Sequence, residues 1–185
     1  LNWDASIVLA VSRLHPQKGL DLLLRAFAAL HAPEWHLFIV GEGKERARLE
    51  AIAEKLGIKS RTYFTGAVAD PSIYFRSADI FALPSRHEGT PNALLEAMSN
   101  GLPTVVSDAS SGPLDILHGT DAGLIMRTED VSSLTKALQV LVDDRAYRQH
   151  LGKNALKAID ERRCTEKAYV LWDQAIDFPP EMTTG

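Results

Sequence analysis

The chain has 185 residues, 45% hydrophobic and 24% charged, which suits one soluble domain with a real core and excludes disordered, fibrous and low-complexity classes. A net charge of -4, with no basic block or aromatic-rich basic stripe, argues against nucleic acid as a partner, so any anion has to be bound locally. No apolar run approaches the length of a membrane span, no signal-peptide pattern opens the chain, and the lone Cys164 allows neither an internal disulfide nor a metal-ligand spacing, which together point to the cytoplasm.

Taken in chain order, short apolar or β-branched runs predict strands at Ile7–Val11, His36–Val40, 62–65, Ile80–Leu83, Thr104–Ser107 and Gly123–Met126. Between the first strands lie amphipathic stretches: residues 19–31 carry Leu20, Leu23, Leu24, Phe27 and Leu30 at helical spacing, and residues 44–56 carry Leu49, Ile52 and Leu56. Shorter helices over 72–78, 92–100 and 113–117 complete a strand and helix alternation, which predicts a parallel sheet covered on both faces. After the last strand, residues 131–142, 145–160 and 166–176 all read as helices, and the tail PPEMTTG reads as frayed. The expected fold is α/β: a doubly wound, Rossmann-like parallel six-stranded sheet with a helical C-terminal tail. No linker divides it, so one domain is expected, with its core over about 5–160, a terminal helix over about 163–177 and a frayed tail over 178–185. The start at Leu1, close before the first strand, reads as that of an excised piece.

In such a sheet ligands collect at the carboxyl ends of the strands. The loops that leave that edge are SRLHPQKG, GEGK, GAVADP, PSRHEGTPN and SDASSGP, all polar or glycine-rich. In the first, Arg13 and Lys18 flank a proline turn just ahead of a helix, a combination suited to a phosphate or diphosphate as well as to a solvated basic loop. GEGKER lacks the third glycine of a dinucleotide fingerprint and the GK[ST] ending of a P-loop; Gly41 and Gly43 are instead expected to let backbones approach closely at a cleft floor.

Residues 88–96 read EGTPNALLE. Thr90 is a good N-cap and Pro91 a good first helical residue, so the helix is expected to begin there with its amides facing the cleft. Glu96 follows Asn92 by one turn on the same face, while Glu88 precedes the helix. A carboxylate accepts two hydroxyl protons and so suits a vicinal diol, and helix-start amides suit a phosphate. A lone pair of glutamates is equally compatible with a surface loop and an exposed helix face.

The stretch EGTPNALLEAMSNGLPTVVSD, together with SRLHPQKG, VGEGKERARLE and FTGAVAD, resembles the family 4 (group 1) glycosyltransferases, and within them the nucleotide-sugar-binding C-terminal half of the GT-B fold. The resemblance covers nearly the whole chain. It implies that Arg13 and Lys18 hold the donor diphosphate and stabilise charge on the leaving group, and that Glu88 lies near the transferred sugar. It further implies that Glu96 binds the ribose hydroxyls, that Gly89, Thr90, Pro91 and Asn92 form the turn under sugar and phosphate, and that Leu94 and Leu95 contribute backbone there. The loop containing Gly66, Val68 and Asp70 matches the base-binding loop, with Val68 near the base through its main chain. Asp70 is open to two readings, acceptor for a guanine amino group or helix cap ahead of Pro71.

By the same resemblance the enzyme is retaining and needs no metal or cofactor, consistent with the absence of any Asp-x-Asp pair. The expected donor is a nucleotide diphosphate sugar, UDP-sugar ahead of GDP-sugar, and the hexosyl acceptor a glycan or lipid-linked saccharide. The N-terminal acceptor domain is expected to be absent from this chain, leaving the isolated domain inactive; in the full-length enzyme that domain could provide peripheral association with the inner face of the membrane. Thr90 stands where the family has a bulky residue, so the shape of the sugar pocket does not carry over. Two alternatives remain open: a stand-alone nucleotide-sugar-binding module, and a sugar-nucleotide epimerase of similar fold.

Overall fold

The computed structural model describes residues 5–89 and 91–176, of which 163–176 are described as backbone only. Six strands, β1 (Ile7–Val11), β2 (His36–Val40), β3 (Thr62–Gly66), β4 (Ile80–Leu83), β5 (Thr104–Ser107) and β6 (Gly123–Met126), pair in parallel in the order β3-β2-β1-β4-β5-β6. The chain therefore builds outward from β1 in one direction, returns, and builds outward from β4 in the other. The reversal places a topological switch point between β1 and β4.

The helices are α1 (Leu20–Ala28), α2 (Arg46–Lys55), α3 (Ser72–Ser77), α4 (Asn92–Ser99), α5 (Ser111–Leu117), α6 (Val131–Asp143) and α7 (Arg145–Ile176). Alternate side chains along the four central strands β2, β1, β4 and β5 enter separate cores, whereas β6 at the edge leaves Ile125 exposed. Val8, Ala10, Leu37, Ile39, Ile80, Ala82 and Val105 face one core, where α1, α2 and α6 contribute Leu23, Phe27, Leu49, Leu134 and Leu138. Leu9, Val40, Phe81, Leu83 and Val106 face the other, with Phe75, Leu94, Met98, Ile116 and Ala155 from α3, α4, α5 and α7. Burial on both faces explains why the strands read as continuous apolar runs. Each fully buried large side chain contributes about 1.5–3 kcal/mol, and this burial outweighs weak local preferences.

Boundaries shift where the tertiary structure sets them. The helix expected from Pro91 begins at Asn92: Pro91 is the capping residue, with an extended ψ of 91° and a carbonyl that accepts from the amides of Leu94 and Leu95. Helix α5 starts at Ser111, two residues before the expected Pro113, which a first turn tolerates because no helical carbonyl lies behind it. The two terminal helices expected over 145–160 and 166–176 are one continuous helix, since nothing between them breaks the backbone hydrogen bonds. The Cys164 side chain and the tail over 178–185 lie outside the described residues.

Gly41 and Gly43 behave as expected of close-approach positions. A Cβ on Gly41, whose φ is 139°, would lie 1.9 Å from the Ser12 carbonyl oxygen, and one on Gly43 would lie 2.3 Å from that of Leu14. This lets the loop after β2 support the loop after β1 through the bonds Ser12 N–H to Val40 O and Leu14 N–H to Glu42 O. Gly41→Ala is expected to destabilise the domain by about 2 kcal/mol or more. Gly57→Ala, at φ 71° with open space around it, costs about 1 kcal/mol; urea unfolding of both variants measures the difference.

Candidate functional site

The loops that leave β1 and β4 meet at the switch point. After β1 the chain forms a short 3₁₀ turn, Pro16–Lys18, with the His15 ring nitrogen accepting from the Gln17 amide. After β4 the Arg86 amide donates to the Gln17 carbonyl at 2.7 Å, and the Gln17 side-chain amide donates to the His87 carbonyl at 2.9 Å. These bonds bring Lys18 and Glu88, 70 residues apart in sequence, into an ion pair with Nζ to Oε1 at 2.6 Å. Glu88 is held from three sides. Its Oε1 also accepts from the hydroxyl of fully buried Ser85 at 2.7 Å, and its amide donates to Ser110 Oγ at 2.8 Å. The Glu88 side chain is 9% exposed and that of Lys18 17%, so the pair is largely withdrawn from water. Glu88 Oε2 has no hydrogen-bond partner among the described residues.

Helix α4 starts directly beyond this pair. Pro91 is buried, Asn92 and Glu96 are exposed on one face, and Leu94 is fully buried with Leu95 half-buried beside it. The turn before the helix is clasped by the loop after β5: a Cβ on Gly112 would lie 1.9 Å from the Gly89 carbonyl oxygen, so only glycine allows this approach. Thr90 lies outside the described residues. The two glutamates thus occupy unlike settings, Glu88 pinned inside and Glu96 in solvent with no side-chain partner among the described residues.

The basic pair of the first loop is also unequal. Lys18 is engaged by Glu88, whereas Arg13 is exposed and its guanidinium has no hydrogen-bond or ion-pair partner among the described residues. Gly66, at φ 78°, bonds through its carbonyl to the Gly41 amide, joining the loops after β2 and β3. Val68 is half-buried against the second core. Asp70 precedes Pro71, the N-cap of α3, and its oxygens accept from the Ser72 amide at 2.9 Å and the Ser72 hydroxyl at 2.8 Å at the start of that helix. Those two bonds, the amide first, hold its carboxyl below the usual range.

Sequence reasoning missed Arg86. Its guanidinium makes a bidentate pair with Asp21 (2.9 and 3.0 Å), bonds Glu129 through Nε and through Nη2, and donates to the Pro16 carbonyl. Burial pushes the Asp21 carboxyl up, but the hydrogen bonds and charge of Arg86 outweigh it and the group lies below its ordinary value. Asp21 and then Glu129 hold the Arg86 guanidinium more firmly protonated than usual. No local pattern links residues 21, 86 and 129. Ser85, Ser110 and Gly112 were likewise invisible as contacts, although their loops were singled out. Among the described residues no group of three His, Cys, Asp or Glu side chains could hold a metal ion, and no helix is long and apolar enough to cross a membrane.

The strand order and the crowded loops at the switch point define a Rossmann-like α/β domain, the fold of one half of a GT-B enzyme. The chain belongs to the family described as glycosyl transferases group 1, which matches residues 1–158. It is 32% identical over 150 residues to the lipopolysaccharide core biosynthesis glycosyltransferase LpsE of Rhizobium meliloti, covering 81% of this chain and 43% of that protein. The structure of WaaG, a glycosyltransferase involved in lipopolysaccharide biosynthesis, superposes with a TM-score of 0.78 at 28% identity, over 84% of this chain and 43% of WaaG. Anabaena HepE in complex with UDP shares the fold, with a TM-score of 0.80 at 24% identity, over 86% of this chain and 45% of HepE. The chain spans about half the length of the curated relatives it matches.

The Asp21 contact has a pH signature. Its carboxyl titrates lower in the folded state than its ordinary 3.8, so its contribution is complete above about pH 4 and is lost as pH falls through the folded value. Urea midpoints measured between pH 7 and pH 2 should therefore fall more steeply for the native chain than for Asp21→Asn, in which this component is missing at every pH.

Proposed function

We propose that this chain is the donor-binding domain of a retaining, metal-independent glycosyltransferase that moves a hexosyl unit from a nucleotide diphosphate sugar to a glycan or lipid-linked acceptor. The observation that carries the reading is the meeting of Lys18 and Glu88 at the switch point, immediately before α4 with Glu96 on its exposed face. A cation beside a helix start suits a diphosphate, and a carboxylate two turns along suits ribose hydroxyls.

In this reading Arg13, whose guanidinium has no partner among the described residues, and Lys18 hold the diphosphate and take up the charge that develops on it as the bond between the sugar carbon and the phosphate oxygen breaks. The acceptor hydroxyl adds to the same face of an oxocarbenium-like sugar. Glu88, with Oε2 uncommitted, addresses the sugar; Gly89, Thr90, Pro91 and Asn92 line the turn beneath it; Leu94 and Leu95 offer backbone, and Glu96 takes the ribose. Gly41, Gly43, Gly66 and Val68 shape the far wall, with the Val68 main chain at the base. Asp70, already committed to Ser72, is secondary there. UDP is the favoured nucleotide because it occupies a solved structure of the same fold, with GDP next. The acceptor site belongs to an N-terminal domain of the full-length protein, through which we place the enzyme in the cytoplasm at the inner face of the membrane.

Thermal shifts with UDP, GDP, ADP and CMP test the donor site, because a ligand at 100 times its Kd stabilises the native state by about 2.7 kcal/mol. UDP should give the largest shift. Lys18→Ala and Arg13→Ala should each weaken UDP by about tenfold, the loss of a charge-assisted hydrogen bond; Arg13→Ala should leave the unliganded Tm unchanged, whereas Lys18→Ala, which strips the largely buried Glu88 of its cation, should lower it. Glu96→Ala should weaken UDP, and Glu88→Gln should spare or tighten it by releasing Lys18. Silence with all four nucleotides at millimolar concentration would defeat the reading.

A further inference from the structure

We propose that Arg86 is a positioning residue for the Lys18–Glu88 pair, clamping the 3₁₀ turn after β1 to the loop after β4. The proposal rests on the reading of that pair as part of the donor site. A guanidinium offers five N–H donors in a rigid fork. Here all five are spent: Nε on Glu129, Nη1 on Asp21 and the Pro16 carbonyl, and Nη2 on Asp21 and Glu129. A cation so occupied has no donor left for a phosphate, which separates its role from those of Arg13 and Lys18.

The contacts join parts of the chain that nothing local holds together. Asp21 is 65 residues away, Glu129 43 and Pro16 70. Pro16 lies two residues before Lys18, and Arg86 two residues before Glu88, so the clamp sits directly under the ion pair and sets the spacing of its two arms. A backbone bond from the Arg86 amide to the Gln17 carbonyl, at 2.7 Å, runs alongside it.

The loop after β6 supplies the third arm of the clamp. Glu129 has φ 61°, a conformation that non-glycine residues hold only where their surroundings over-determine it. Its side chain is 55% exposed, so burial does not explain the strain. Glu129 is the third residue of a turn that the Asp130 amide closes on the Arg127 carbonyl, and from there its carboxylate pairs with the Arg86 guanidinium, while Asp130 next to it caps α6 through the Ser133 amide. An ammonium in place of Arg86 would keep the charge but, as a compact point charge with three donors, could not span Asp21, Glu129 and Pro16 together.

The test is acetylation of lysines in the unliganded chain, read by mass spectrometry, with UDP thermal shifts run in parallel. Lys44 and Lys153, both exposed, serve as internal references. In the native chain Lys18, paired with Glu88, should acetylate about tenfold more slowly than the references. Arg86→Lys should abolish that protection and weaken UDP about tenfold, with Tm within about 5 °C of the native chain and reference lysines unchanged. Should Arg86→Lys fail to fold, Glu129→Gln, altering one exposed arm of the clamp, should raise Lys18 acetylation part of the way. Lys18 protection unchanged in a folded Arg86→Lys, or in Glu129→Gln where that is the variant that folds, overturns the proposal. A native chain that ignores UDP yet shows the expected labelling defeats the donor reading while sustaining the clamp.

Discussion

Removing an ammonium or a carboxylate from water costs on the order of several kcal/mol per ion unless each meets a partner in good geometry. Lys18 and Glu88 meet that condition with each other, and the rest of the site is arranged so that they can. Strands β1 and β4 must be neighbours, although α1, β2, α2, β3 and α3 intervene between them in the chain. Ser85 must be buried under the carboxylate, and Ser110 must reach the Glu88 amide from the loop after β5. The sheet order, the two cores and the glycine contacts are the means by which these requirements are satisfied at once.

This arrangement gives the carboxyl edge graded rigidity. Glu88 is fixed by an ion pair and two hydrogen bonds, and its loop is braced by Arg86. Arg13 and Glu96 stand in solvent at the margins. A rigid centre with adjustable margins is what a site needs if one part must be aligned within a fraction of an ångström and another must capture a ligand from water. The chain spans about half the length of the curated relatives it matches.

Membership of the glycosyltransferase family was legible in EGTPNALLE, SRLHPQKG and FTGAVAD, because each motif lies within one strand-to-helix connection and keeps its internal spacing. The strands were legible almost to the residue, since burial on both faces leaves short uninterrupted apolar runs. Helix ends were less so. Pro91 fits a first helical position by its fixed φ, yet its ψ is extended and it stands as the cap. The two helices expected over 145–160 and 166–176 are joined, because the backbone stays helical from Arg145 to Ile176.

What the sequence by itself determined was the alternation of strand and helix, the family, and the set of loops able to meet a ligand, all properties of short segments with their own periodicity and turn chemistry. Which members of those loops touch was decided only by the tertiary structure. The pairing of Lys18 with Glu88, the spending of all five Arg86 donors, the strained Glu129 and the commitment of Gly112 to Gly89 each depend on strand order and register. A charged side chain carries no local signal of its partner; the partner is chosen when burial of the apolar faces brings distant loops to one edge.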